Sequence, residues 1–369
     1  MRAVLRVVGL TLVFCLVLEA TCRIEDWIRY GTPPFTAIRT EDDLLVRDAA
    51  GEHGRANAQF QKWILNNLGM RGPDAPIQKP AGVLRVVTAG ASETFGLYES
   101  PDEEFPRQLE DTLRRSITTI ACDTAVEVLN AAIFGMSLPT VDQDLRTRVA
   151  PLRADIVVLY PTPVQYLSPD RPRPAPPDSA GPSPRLPRFA AFYPRAFGRL
   201  RDAIKQTTPA WLATILRRRL IAADARRAPA NWRFTSIPAD RLADYDEDLR
   251  HVIGTIRATG AVPVLMTHVN AFMDGTVDPV RLTEWEHQYP RASGAALVAF
   301  DSAAALLTAR AATDSGVALV DLAALAARRQ FPPSAKAFGD YAHFTDIGSA
   351  AVAAAVAPAV LGAARVCAK

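Results

Sequence analysis

Five short aliphatic, β-branched runs, each followed by a longer segment of helical spacing, constrain this chain more than anything else in it. They are Leu84 to Thr88, Val126 to Asn130, Ile156 to Tyr160, Val262 to Thr267 and Val317 to Asp321. Runs so apolar suit strands covered on both faces. Their alternation with helical segments builds a parallel sheet with helices on either side. The 369 residues suffice for one large domain or two ordinary ones. Residues 31 to 80 are loop-rich, with turn signals at Gly69, Gly72 and Pro73, and are expected to wrap the sheet.

Two features interrupt the alternation. Residues 168 to 188 hold eight prolines, which excludes helix and central strand and predicts an extended, exposed loop. An insertion at about 189 to 238 follows, containing "AWLATILRRRLIAADARRAP", where an apolar face adjoins a dense arginine cluster. It reads as an amphipathic helix capping the sheet, or as a lid or a surface against anionic headgroups.

The amino terminus reads as an export signal. Arg2 and Arg6 precede an apolar run from Val7 to about Leu18 that Glu19 closes. The run is short for a span, yet apolar character extends from Met1 to about Ala20 and the arginines can snorkel. No small-residue cleavage site follows, and the residues before Cys22 do not form a lipoprotein box. Residues 1 to 30 are therefore expected to remain as a signal anchor. The positive-inside rule then places residues 31 to 369 outside the cytoplasm, in the periplasm, or secreted if the signal is cleaved.

A net charge of +3 is too mild to argue for nucleic acid, and no nucleic-acid-binding signature is present. Of four cysteines, Cys15 and Cys22 belong to the amino-terminal segment, leaving Cys122 and Cys367 as a conceivable pair; none shows metal-ligand spacing.

The first run leads into "TAGASETFG", in which Gly90 and Gly96 bracket Ser92. Ser92 thus falls at the carboxyl end of a strand, where open α/β sheets bind ligands, although such serines also serve as ordinary turn and capping residues. A nucleophilic serine needs a base held by a third group. Among the five histidines, His251 reads as a solvated helix residue, and His53 and His287 have polar surroundings without a motif. His268 follows the fourth strand, but nothing beside it in sequence would orient it. His343 differs. In "FGDYAHFTDIG", Asp340 lies three residues before it, close enough in a turn to hold one ring nitrogen and leave the other toward a cleft.

These residues resemble the SGNH or GDSL hydrolases. "GASETFG" is similar to that family's first block with Ser92 as nucleophile. "VEVLNAAIFGMS" is similar to the second, with Gly135 as an oxyanion donor, and "DYAHFTDIG" to the last, with Asp340 and His343. "NNLGMRGP" and the anchor followed by "CRIEDWIRYG" resemble membrane-anchored bacterial members. The resemblance runs from about residue 60, outside the proline-rich insertion. It implies a three-layer α/β/α sandwich with a five-stranded, mainly parallel, flavodoxin-like sheet. It also implies acyl transfer through a serine acyl-enzyme, without metal or cofactor.

Two positions depart from the family pattern. Ala91 stands where the family has an aspartate before the nucleophile. Val164 falls where an asparagine usually donates to the oxyanion, leaving Thr162 or Gln165 as substitutes, or the backbone N–H groups of Ser92 and Gly135 alone. The expected activity is an ester hydrolase acting on an acylated extracytoplasmic carbohydrate or other ester. The alternatives are a polysaccharide O-acetyltransferase using the same triad, and a non-catalytic carbohydrate-binding or assembly protein.

Overall fold

The computed structural model describes residues 1–36, 38, 40–116, 125–174, 194–229 and 232–367. Cys122 of the conceivable Cys122–Cys367 pair and most of the proline-rich loop lie outside the described residues. Helix α1 (Arg2–Tyr30) runs unbroken until Gly31, whose φ of +68° admits the left-handed turn that ends it. Two small antiparallel hairpins follow: β1 (Leu45–Asp48) with β2 (Gly51–Gly54), and β3 (Gln59–Phe60) with β4 (Trp63–Ile64). The segment after them is tied to the sheet where Arg71 N–H donates to the Asn130 carbonyl.

The main sheet contains β5 (Val83–Gly90), β6 (Ala125–Asn130), β7 (Ile156–Tyr160), β8 (Val262–Met266) and β9 (Ala318–Val320). Its order is β6-β5-β7-β8-β9 and every neighbouring pair is parallel. All five expected strands are present, displaced only at their ends. The last is shorter than expected because Val317 N–H closes the preceding helix on the Ala312 carbonyl, while Asp321 turns to cap the next one.

The helices are α2 (Ser92–Phe95), α3 (Phe105–Ser116), α4 (Leu138–Asp144), α5 (Arg195–Thr207), α6 (Ala210–Arg227) and α7 (Ala239–Ala258). The remainder are α8 (Pro279–Gln288), α9 (Gly294–Ser315), α10 (Leu322–Ala327), α11 (Ser334–Ala337) and α12 (Asp346–Cys367). Alternation along the strands sends Val86, Val128, Val158 and Val264 into a core with α3 and α12. Val87, Leu129, Val157 and Leu265 enter the opposite core with α4, α7 and α9. This period of two, carried by strands apolar on both faces, produces three layers. Like α1, α9 and α12 are long and apolar enough to cross a membrane, but half of each apolar stretch is buried here.

Among the described residues, the two helices of the insertion pack on other helices and not on the sheet. Helix α5 packs on α1 and α6 packs on α8. Of α6's residues only Ile221 is fully buried, because its apolar side chains lie on more than one side.

Candidate active site

The sheet order reverses between β5 and β7, and the residues leaving the carboxyl ends of these strands converge there. At the end of β5 the chain turns into α2 so tightly that a side chain on Gly90 would sit 2.3 Å from Thr94 Oγ1 and 2.6 Å from the Tyr160 carbonyl oxygen. Glycine is therefore required, and Ser92 becomes the first residue of α2. Asn130, at the end of β6, braces this turn by donating to the Thr94 carbonyl at 2.9 Å.

Asp340 and His343 share a turn before α12. Asp340 Oδ1 accepts the backbone N–H groups of Ala342 and His343, each at 2.9 Å, and Oδ2 lies 2.7 Å from His343 Nδ1. The other ring nitrogen, Nε2, is 2.9 Å from Ser92 Oγ. Ser92, His343 and Asp340 thus form one hydrogen-bonded chain, although 251 positions separate the serine from the histidine. Ser100 joins the two loops by donating to Asp346 from its backbone and its hydroxyl, both at 2.7 Å. Burial pushes the His343 imidazole down, but Asp340, with Glu93 and Glu99, overrides it and brings the group up to about 9. Burial pushes Asp340 up, and His343 with two backbone donors reverses that to hold it below the usual carboxylate range.

A second chain lies behind the first. Glu93 Oε2 is 3.3 Å from Ser92 Oγ and accepts the Thr162 hydroxyl at 2.9 Å; Oε1 is 3.4 Å from His268 Nε2. His268 Nδ1 is 2.9 Å from Oδ2 of Asp301, which sits on α9. His268 and Asp301 are wholly buried, and the imidazole stacks on Tyr160. Burial opposes charge on both His268 and Glu93, yet Asp301 and Glu93 raise the histidine to about 10, while His268 and His343 lower the glutamate to about 2. This corrects the expectation that His268 lacks an orienting group. One signal existed: Asp301 interrupts the otherwise apolar "GAALVAFDSAAALL" of α9.

The residues expected around an oxyanion are distributed differently. Val164 is buried. Thr162 spends its hydroxyl proton on Glu93, and Gln165 donates its amide to the Met136 carbonyl at 2.6 Å. Gly135 adopts φ of +89°, a conformation suited to glycine. Ser92 N–H lies at the first position of α2, where the helix itself offers no acceptor. His53 and His251 are engaged elsewhere, with Asp48 and with Arg146. No group of three or more His, Cys, Asp or Glu side chains suited to a metal occurs among the described residues.

No protein-family model matches the chain, and no curated protein matches it. Its solved structural neighbours include a lipase/acylhydrolase, acetylxylan esterases and a GDSL-like lipase. A lipase/acylhydrolase from Enterococcus faecalis is 15% identical with a TM-score of 0.42, covering 75% of this chain and 95% of its own. An acetylxylan esterase from Geobacillus stearothermophilus is 12% identical with a TM-score of 0.41, covering 76% and 94%. A GDSL-like lipase from Bacteroides thetaiotaomicron is 12% identical with a TM-score of 0.40, covering 76% and 89%.

Proposed function

We propose that this chain is a serine ester hydrolase with Ser92 as nucleophile, His343 as general base and acid, and Asp340 as the group that orients the imidazole. The observation that carries the reading is the continuous chain from Asp340 through His343 to Ser92, with contacts of 2.7 and 2.9 Å. A carboxylate on Nδ1 selects the tautomer whose Nε2 can accept the serine proton. Ser92 Oγ attacks the ester carbonyl as His343 takes its proton. The backbone N–H groups of Ser92 and Gly135 receive the oxyanion. His343 then protonates the departing alcohol, and water repeats the sequence on the acyl-enzyme. No metal or cofactor enters these steps.

In this reading α1 anchors a domain of residues 31 to 369 outside the cytoplasm, which brings acylated envelope carbohydrate within reach as substrate. Its 29 residues and exposed apolar surface support the anchor. The test compares p-nitrophenyl acetate hydrolysis by the detergent-solubilised full chain and by Ser92→Ala. Loss of activity in a folded variant is expected; equal rates would refute the nucleophile. An acyl-enzyme stable in water but discharged by glycan would assign O-acyl transfer instead.

A further inference from the structure

Helix α1 changes character along its length. Its large apolar side chains from Val4 to Leu18 are 41–70% exposed. From Glu19 onward one face buries Glu19, Cys22 and Asp26, while the other leaves Ile24, Trp27 and Ile28 exposed. Helix α5 covers the polar face. Asp26, with no exposed surface, accepts from Arg195 and Arg199 at 2.5 Å each. Glu19 accepts from Arg23 at 2.6 Å and from Ala196 N–H at 3.0 Å. The two carboxylates are buried between the helices, and the side of α1 turned away from them, with Ile24 and Ile28, stays apolar.

Rise per residue locates this junction. Leu5 to Ile24 spans about 30 Å of helix, the thickness of a bilayer's hydrocarbon core. Trp27 and Ile28 then fall where aromatic side chains collect at a membrane interface. The start of α5 is bonded to α1 between Glu19 and Asp26, within about 12 Å of that interface along the helix. From there α5 exposes Leu200 and Ile204, and α6 exposes Trp211, Ile215, Leu216 and Leu220. The arginines at 218, 219, 226 and 227 are also exposed. Exposed tryptophan and aliphatic side chains beside arginines supply the apolar and cationic parts of a membrane-surface contact, although on α6 they are spread over more than one side.

We propose that α5 and α6 form a second membrane contact, lying in the boundary between acyl chains and acidic headgroups beside α1. This rests on the reading of α1 as a membrane-spanning helix and is independent of the chemistry assigned to Ser92. The other side of α6 rests on α8, where Arg217 pairs with Glu284 at 2.5 Å. On α8, Arg281 donates to the Ser334 and Phe338 carbonyls, just ahead of the turn that carries Asp340. The bilayer contact therefore bears on a wall of the site.

The full chain reconstituted in nanodiscs of phosphatidylcholine and phosphatidylglycerol provides the test, using lipids brominated near the headgroup end of their chains. Subtracting the emission of Trp211→Phe from that of the parent isolates Trp211; Trp27→Phe does the same for α1. Both components are expected to lose most of their intensity to the brominated lipid. Trp211 is expected to lose several-fold less in pure phosphatidylcholine. Quenching of Trp27 without Trp211 overturns the proposal and leaves the anchor standing. Quenching of neither removes the anchor and the proposal together. An unquenched Trp211 in particles holding two copies assigns the surface to self-association, which also overturns it.

Discussion

Glu93 places a carboxylate oxygen 3.3 Å from Ser92 Oγ, so the serine hydroxyl lies between two acceptors, this carboxylate and His343 Nε2 at 2.9 Å. The carboxylate cannot leave, because Thr162 and His268 hold its two oxygens. Its negative charge favours the protonated form of His343, which cannot act as a base. Glu93→Gln should therefore shift the acid limb of the kcat/KM profile about one pH unit lower. A loss of activity uniform across pH, with the limb unmoved, would assign Glu93 a packing role only.

Asp340→Asn separates structure from chemistry. The asparagine carbonyl can still accept the two backbone N–H groups that form the turn, so the variant should fold, with a midpoint lowered below pH 9 by the lost pairing with charged His343. Its amide cannot accept from Nδ1–H, so the imidazole takes the wrong tautomer and kcat should fall about 10⁴-fold. A fall of less than tenfold at pH 8 would remove Asp340 from the proposed mechanism.

Both imidazoles, His268 and His343, carry charge in the folded protein over a range where the unfolded chain has lost it. Burial opposes this, but Asp301 and Glu93 bring His268 to about 10, and Asp340 brings His343 to about 9. The unfolded value is about 6.5. With folded values raised, their stabilisation is complete below that pH and is lost as pH rises through 9 to 10. Glu93, lowered to about 2, has the opposite sign: its contribution is present above the ordinary glutamate range and is lost as pH falls toward 2. Thermal melts at pH 6, 8 and 10 should show a declining midpoint, and a midpoint highest at pH 10 would contradict the network.

Asp301→Ala leaves the buried His268 charge with Glu93 alone and opens a polar void. Breaking a buried pair from one side costs about 3–5 kcal/mol. Denaturant titration measures the loss, and a cost below 1 kcal/mol would mean that His268 is neutral when folded.

Gly90→Ala tests the strand-to-helix turn. The added carbon would meet the Tyr160 carbonyl oxygen at 2.6 Å, which is backbone and cannot step aside. Overpacking of this kind costs about 1–3 kcal/mol. The shift should also displace Ser92 and lower kcat more than it raises KM. Wild-type kinetics would show that the turn tolerates a side chain.

The sheet was legible because strands buried on both faces must be apolar throughout, and Val86, Val158 and Val264 leave little room for another reading. Ser92 and the Asp340–His343 turn were legible because each is a local pattern set beside a strand end or a helix start. The chain through Glu93, His268 and Asp301 was not, since its members come from three elements and no spacing in sequence joins them. Thr162 and Gln165 show the same limit. Each carries a suitable donor, and only the folded neighbourhood determines where that donor is spent. The course of α6 escaped for another reason: apolar residues on more than one side do not specify which neighbour a helix will choose.

The hydrogen bond between Ser92 and His343 has a consequence for biosynthesis. The serine turn is made early, whereas the histidine that serves as its base in the proposed mechanism arrives only after β9 and α10 have been synthesised, just before α12. Until that segment returns across the sheet, Ser92 is an ordinary hydroxyl, inert toward any ester the emerging chain meets. On that mechanism the order of synthesis acts as an activation step.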